Sequence, residues 1–281
     1  MSHVLQEIIA CFGQPVAGNP TQYVMEKALA KAGLDWRYLT LEVSPEGLAD
    51  AVRGAKAMGF RGFNCTKPHK CTVVPLVDRT TEAAGLIGAV NCVYREGNDF
   101  VGENTDGKGF VESLRTLIDP TGKRVVILGA GGAARAIAVE LSLAKIAHLT
   151  IVNRSAERGQ ELANLINEKL SVPAEFVVWN GDYAIPAEAE VLINATSVGL
   201  FDESARVPVG SSTLRAGLIV ADVVFNPIDT RLLRDARDHG ATTLDGMGML
   251  TNQARLNFKI WTGIEPDAEL MRDSLEEYLG V

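Results

Sequence analysis

The sequence predicts an α/β protein of two domains, one with a mostly parallel sheet and the other with a doubly wound, Rossmann-like sheet. Three observations carry that prediction. The apolar run Val125 to Leu128 meets Gly129-Ala130-Gly131-Gly132-Ala133-Ala134 and turns into an Ala-rich helical pattern. A second apolar run, His148 to Val152, stands where a dinucleotide-binding βαβ unit places its next strand. Ahead of both, residues 7–101 alternate short strands with helices, as a parallel sheet with crossover helices requires.

The elements follow in order. Ile8 to Phe12 and Trp36 to Val43 read as strands, and Thr21 to Lys31 and Pro45 to Met58 have helical spacing. Ser44 before Pro45 marks the second helix start, because Ser accepts orphan N–H bonds and Pro fits the first helical position. Arg61 to Thr66 is another strand. A helix at Lys108 to Leu117 leads through the turn Asp119-Pro120-Thr121-Gly122 into the glycine-rich segment. Strands at Ala174 to Val178, Val191 to Ala195 and Leu218 to Val223 complete the second sheet, and Met247 to Trp261 and Asp267 to Tyr278 are helical.

A chain of 281 residues is long for one core and sufficient for two. With 47% apolar and 22% charged residues the composition is that of an ordinary globular protein. A net charge of -8 without basic clusters argues against nucleic acid or an anionic membrane as the main partner, so any anion must be attracted locally. The start, Met1 to Glu7, has no basic region leading into an apolar one, and no apolar stretch reaches ~18 residues; a cytoplasmic protein without leader or membrane span is expected. Cys11, Cys65, Cys71 and Cys92 form no Cys-x-x-Cys pair and read as reduced thiols. His3, His69, His148 and His239 include no pair at metal-ligand spacing, so no metal is expected.

The glycine-rich turn has the chemistry of a dinucleotide pyrophosphate site. Gly129 permits the tight turn, Gly131 lets the backbone approach the phosphates, and Ala134 lets the helix pack close to its strand. The helix N-terminus supplies N–H groups and positive dipole to the anion. At the end of the next strand stand Asn153-Arg154-Ser155, then Arg158, with no acid where an NAD site holds the ribose 2′-hydroxyl. Two arginines there suit a 2′-phosphate, so the expected cofactor is NADP(H).

In the first half, Asn64-Cys65-Thr66-Lys67-Pro68-His69-Lys70 closes a strand where open α/β sheets hold ligands. A lysine facing a partly desolvated cleft can exchange protons near neutral pH, which singles out Lys70. Gly88-Ala89-Val90-Asn91 and Gly102-Glu103-Asn104-Thr105-Asp106-Gly107 put further amide, hydroxyl and carboxylate groups beside glycines. Lys70, Asn91 and Asp106 make the ammonium, amide and carboxylate set of a polyol or keto-acid site.

These segments resemble the shikimate and quinate dehydrogenase family. Asn64 to Lys70 is similar to the family's Asn-Val-Thr-x-Pro-x-Lys motif with Cys65 in the Val place, while Gly88 to Asn91 and Asn104 to Gly107 match unchanged. Gly129 to Ala134, Asn153 to Ser155, Asn194 to Gly199, Asp222 with Pro227, and Gly246 to Gln253 continue the likeness in order. The resemblance implies an NADP-dependent dehydrogenase interconverting 3-dehydroshikimate and shikimate or a close analogue. It implies a substrate domain of residues 1–105 plus 247–281, with the C-terminal helices returning to it, and a cofactor domain of residues 106–246. It implies Lys70 and Asp106 as the catalytic pair, and Asn64, Thr66, Asn91 and Gln253 as holding substrate hydroxyls. Gly129, Ala130, Gly131, Gly132, Ala133, Asn153, Arg154, Ser155, Arg158, Thr196, Val223, Gly246 and Met249 would line the cofactor.

The departures from the family gather where it binds the substrate carboxylate. Asn19 and Thr21 stand for two serines, Gly18 for a His, and Phe225 for a Tyr, so a phenolic donor is lost. A changed ring substituent, as in quinate or an amino analogue, is the sharper expectation. A non-catalytic NADP(H)-dependent ligand sensor is the rival from another class, and a proton-transfer pair speaks against it. A small-molecule substrate and a monomer or homodimer are expected.

Overall fold

The computed structural model describes residues 5–281, so Met1 to Val4, including His3 and part of the segment read for a leader, lie outside the described residues. The described residues divide into two compact units, residues 5–105 with 253–280, and residues 106–252.

The first unit begins with β1 (Ile8–Gly13), α1 (Thr21–Lys31), β2 (Arg37–Glu42), α2 (Leu48–Ala57), β3 (Gly62–Cys65) and the short α3 (His69–Thr72). It continues with β4 (Arg79–Thr80), α4 (Glu82–Ile87), β5 (Cys92–Glu96) and β6 (Asp99–Glu103). The sheet order is β2-β1-β3-β5-β6-β4. β1, β2 and β3 run parallel, β4 runs parallel to β6, and β5 is antiparallel to both neighbours. The β5–β6 hairpin, absent from the sequence reading, turns on Gly97 and Asn98, with Glu96 paired to Asp99. One core of this unit centres on Phe63, stacked on Phe12 at 4.5 Å and met edge-on by Phe100 at 5.4 Å.

α1 covers the expected residues because Val24, Met25, Ala28 and Leu29 recur at helical spacing and are buried. α2 starts three residues later than Pro45. The Ser44 hydroxyl accepts the Gly47 N–H at 3.2 Å, closing a separate turn before the helix begins.

The second unit contains α5 (Thr105–Leu114, from Asp106 onward), β7 (Arg124–Leu128), α6 (Gly132–Leu143), β8 (His148–Asn153), α7 (Ala156–Lys169), β9 (Ala174–Val178) and β10 (Val191–Asn194). β11 (Ile219–Asp222), α8 (Arg231–Asp238) and β12 (Thr242–Leu244) follow. Every pairing is parallel in the order β12-β11-β10-β7-β8-β9. Counted from β7 this is the dinucleotide-binding order 3-2-1-4-5-6, whose direction of winding reverses between the first and fourth strands. The ends of β7 and β10, Leu128 and Asn194, flank that switch point. α5 begins one turn earlier than the sequence suggested, because Thr105 is fixed by Asn91, which accepts its N–H at 2.8 Å.

The chain leaves the second unit within α9 (Gly246–Thr262), and α10 (Ala268–Leu279) follows. Trp261 near the end of α9 donates from Nε1 to the Val93 carbonyl at 2.9 Å, seating the helix on the first sheet. No helix of the described residues is long and apolar enough to cross a membrane.

Candidate active site

In the first unit the amides that the sequence singles out belong to one chain of hydrogen bonds. Tyr38 of β2 donates its hydroxyl to Asn64 Oδ1 at 2.7 Å, and Asn64 Nδ2 donates to the Asn91 carbonyl at 2.8 Å. Asn91 Nδ2 in turn donates to Thr105 Oγ1 at 3.0 Å. The Thr105 hydroxyl donates to Asn257 Oδ1 at 2.7 Å, and Asn257 Nδ2 donates to Gln253 Oε1 at 3.2 Å. Asn64, Asn91, Thr105 and Asn257 are buried, whereas Gln253 is half-buried. Buried amides of this kind are tolerated because each end is paired, and pairing fixes which end of each amide faces which way.

Thr66 and Lys70 close the same end of the sheet. Thr66 donates its backbone N–H to Phe12 at 3.0 Å, the Lys70 carbonyl accepts from Val90 at 2.7 Å, and both side chains are half-buried. The Lys70 ammonium faces Cys11 and Cys65 closely enough to oppose the upward push that burial gives both thiols. His69, fully buried between Pro68 and Lys70, ties this turn to the end of β2 through Nε2 and the Val43 carbonyl at 2.7 Å. Asn19 has a structural duty, since its Oδ1 accepts the Thr21 N–H at 2.9 Å where α1 begins. A groove of about 650 Å³ runs from Asn19 along α1, lined by Gln22, Tyr23, Lys27 and Tyr278 among others. Lys70, Asn64 and Asn91 do not line it.

In the second unit the glycine-rich turn leaves backbone open. Gly129 holds φ at 109°, left-handed backbone that favours glycine, and a Cβ there would stand 3.0 Å from the Ala195 carbonyl. Gly131 and Gly132 are exposed with open space where a Cβ would point, and no side chain caps the first turn of α6. The early N–H groups of α6 therefore face outward at the switch point, as an anionic pyrophosphate requires, and Ala130 and Ala133 are small enough to keep the approach clear. The residues present fit a dinucleotide.

At the end of β8, Asn153 donates to the Ser155 carbonyl at 2.9 Å and Ser155 Oγ accepts the Arg158 N–H at 3.4 Å, capping α7. Arg154 and Arg158 are exposed. Beside the switch point a second polar network stands on buried Asn194 and Asp222. Asn194 Oδ1 accepts the Thr196 hydroxyl at 2.7 Å, and its Nδ2 donates to Asp222 Oδ1 at 2.9 Å. Asp222 also accepts from the Val224 N–H at 3.0 Å and the Thr230 hydroxyl at 2.8 Å. Burial pushes the Asp222 carboxyl up to about 6 against the pull of these three donors. Val223 and Phe225 are half-buried on the loop this network holds. Gly246 lies against the Val224 carbonyl with no room for a Cβ, which places the half-buried Met249 one turn further along α9.

Lys70 belongs to the first unit, whereas Asp106, in the first turn of α5, belongs to the second. Sequence reasoning missed Tyr38 and Asn257 and gave Thr105, Asn194 and Asp222 no individual role. Asn257 was within reach of a rule, since it stands four residues after Gln253 on one helix face. Tyr38 gave no signal, because a tyrosine in a strand reads as core. Among the described residues no group of three His, Cys, Asp or Glu side chains is placed to hold a metal ion.

An open parallel sheet with uncapped helix amides at its switch point, joined in one chain to a unit lined with amide and ammonium groups, defines a dinucleotide-dependent oxidoreductase of the two-domain α/β class. Family models place the relationship more closely. Residues 11–93 match the shikimate dehydrogenase substrate binding domain, residues 113–201 match shikimate / quinate 5-dehydrogenase, and residues 246–276 match the shikimate 5'-dehydrogenase C-terminal domain. Shikimate dehydrogenase (NADP(+)) of Methanopyrus kandleri is 41% identical over 278 residues, covering 97% of this chain and 96% of that protein. A shikimate dehydrogenase solved in complex with NADP+ is 35% identical with a TM-score of 0.89, covering 99% and 97% of the two chains. The ligand-free 5-ketofructose reductase of Gluconobacter sp. strain CHM43 is 50% identical with a TM-score of 0.95, covering 98% and 99%. The chain belongs to the shikimate dehydrogenase family and is an oxidoreductase.

Proposed function

We propose that the protein is an NADP(H)-dependent dehydrogenase that interconverts 3-dehydroshikimate and shikimate, or a close polyhydroxylated analogue, by hydride transfer. The observation that carries this reading is the continuous amide chain from Tyr38 to Gln253 at the sheet end that also bears Lys70. Oriented amides read hydroxyl groups, and an ammonium beside them can give and take the proton of an alcohol.

The α6 N-terminus, with Gly129 to Ala133, holds the pyrophosphate, and Arg154 and Arg158 hold the 2′-phosphate beside Asn153 and Ser155. Thr196, Val223, Gly246 and Met249 line the remaining path of the cofactor. NADPH, when bound, supplies the hydride. Lys70 gives the proton to the reduced oxygen, with Asp106 as the second member of the catalytic pair. Asn64, Thr66, Asn91 and Gln253 position the ring hydroxyls, so binding energy away from the reacting carbon orients that carbon. The protein acts in the cytoplasm, as a monomer or homodimer.

One specific observation favours a second reading of the analogue. The three altered positions, Asn19, Thr21 and Phe225, stand where the resemblance puts the family's carboxylate contacts; Asn19 uses only its Oδ1 at the start of α1 and, like Thr21, can still donate, whereas Phe225 has lost the phenolic donor. The relative at 50% identity is a 5-ketofructose reductase, and 5-ketofructose has two ketones and no carboxylate. An uncharged keto-sugar is therefore the second reading to test beside shikimate. The test is a substrate panel of shikimate, quinate and aminoshikimate with NADP+ and NAD+, and 3-dehydroshikimate and 5-ketofructose with NADPH and NADH, read at the nicotinamide absorbance. Turnover of 5-ketofructose well above that of the shikimate pair settles the panel for the keto-sugar. Turnover of none, with NADP+ still bound, removes both the shikimate and the keto-sugar reading.

A further inference from the structure

Tyr38 is fully buried on β2, beneath the groups proposed to hold the substrate. The sheet order puts β1 between β2 and β3, with Cys11 of β1 paired to Asn64 of β3. The phenol therefore spans a whole strand to reach Asn64 Oδ1 at 2.7 Å, and the Cys11 thiol is a second polar neighbour. Trp261 of α9 packs beside the ring, the two centroids 6.2 Å apart. The arrangement is costly unless it does something for Asn64, because a phenylalanine would fill the same apolar space without a hydroxyl to satisfy.

What the hydroxyl supplies is a distinction between the two ends of an amide. With Oδ1 taken by the phenol, Nδ2 must turn to the other side, where it donates to the Asn91 carbonyl at 2.8 Å and has a second N–H to give. Burial also pushes the phenol well above its ordinary pKa, so it stays a donor across any working pH. We propose that Tyr38 is a positioning residue for the substrate: its hydroxyl fixes the orientation of the Asn64 amide, so that Asn64 meets a substrate hydroxyl with its donor end. This rests on the reading above that Asn64 contacts the substrate. Tyr38 acts only through Asn64, and its influence falls on a contact made in ground state and transition state alike, hence on KM.

The experiment is a double-mutant cycle in the full chain with Tyr38→Phe, Asn64→Ala and the pair. Steady-state kinetics use whichever of shikimate with NADP+ or 5-ketofructose with NADPH the wild type turns over faster, alongside NADP+ affinity and thermal melting. Tyr38→Phe is expected to raise KM about tenfold with kcat within about twofold and NADP+ affinity unchanged. The double variant is expected to have the KM of Asn64→Ala alone. Multiplying effects on KM, or a wild-type KM in Tyr38→Phe where Asn64→Ala is impaired, would overturn the role of Tyr38 and leave the Asn64 reading standing. A wild-type KM in Asn64→Ala overturns that reading and the inference together. Should Tyr38→Phe not fold, Asn64→Asp asks the same question, since it keeps an acceptor for the phenol and sets oxygen in place of the donor. A KM at least tenfold higher in Asn64→Asp is required, and a wild-type value rejects the proposal.

Discussion

At the end of β7 the surface offered to a ligand is main chain, for Gly131 and Gly132 carry nothing that could cover the first amides of α6. At the end of β3 it is side chain, with Asn64 and Asn91 held by Tyr38, Thr105 and, through Thr105, Asn257, from three other segments. Backbone amides are placed by the fold itself and recognise an anion of fixed shape. Side-chain amides must each be told which way to face, and in return the set of hydroxyls they recognise changes one residue at a time. The departures fall accordingly on side-chain contacts, Asn19 and Thr21 in the first unit and Phe225 in the second, and none falls in the glycine-rich turn.

The largest expected effect is on the side-chain side. Lys70→Ala should lower turnover about 100-fold to 10,000-fold, the usual contribution of a general acid or base, with NADP+ affinity measured by fluorescence titration nearly unchanged. Near wild-type turnover would remove Lys70 from the proton transfer and leave the first unit with binding alone. On the main-chain side, Arg154→Asp should shift the NADP+ to NAD+ preference by on the order of 100-fold, since a carboxylate opposes the 2′-phosphate that charge-assisted hydrogen bonds had held. Equal loss for both cofactors would mean that the residue supports α7 and does not read the phosphate.

The same contrast decides what was legible in the sequence. Val125 to Ala134 carries its whole local structure in contiguous residues, and the strands around it have the spacing that their parallel order requires. The substrate unit was legible as alternating strands and helices, yet its hairpin at Gly97-Asn98 went unread although two such residues between β-formers signal a tight turn. The catalytic and amide residues stood out only through motifs. The partners that orient them are dispersed, Tyr38 and Asn257 lying 219 positions apart in a single network. No local pattern announces a contact made across a strand.

A pH series separates the two networks further. The five hydrogen bonds that run from Tyr38 to Gln253 join neutral groups, whereas the network beside the switch point turns on Asp222. Because burial raises the folded-state value of Asp222 from 3.8 to about 6, the folded protein binds that proton more tightly than the unfolded chain does. Stability contributed by this group is therefore full below 3.8, falls as pH rises to about 6, and is flat above. The drop is on the order of 2–3 kcal/mol. Urea unfolding from pH 4 to 7, followed in wild type and Asp222→Asn, should show that slope only in the wild type. An equal slope in both would place the titration elsewhere.

The smallest expected effect tests whether the altered side-chain contacts changed the substrate. Asn19→Ser, Thr21→Ser and Phe225→Tyr together restore the donors the family uses around a carboxylate. Serine still supplies an oxygen to accept the Thr21-position N–H at the start of α1, so the helix start survives the exchange. If the three positions drifted neutrally, wild-type KM for shikimate is already in the low micromolar range, about the tight end for ordinary enzymes, and the triple variant changes it little. If they follow a substrate without a carboxylate, wild-type KM for shikimate is high and the triple variant lowers it by roughly threefold to tenfold with kcat unmoved, because the regained contacts touch a remote part of the ring. The second outcome is expected. Phe225 has no hydroxyl to donate to a carboxylate, and three contacts to one substituent have changed while Lys70 and Asp106 remain. The comparison that matters is the ratio of kcat/KM for shikimate and 5-ketofructose before and after the exchange, since a general gain or loss of activity moves both and a change in what the loop recognises moves only one.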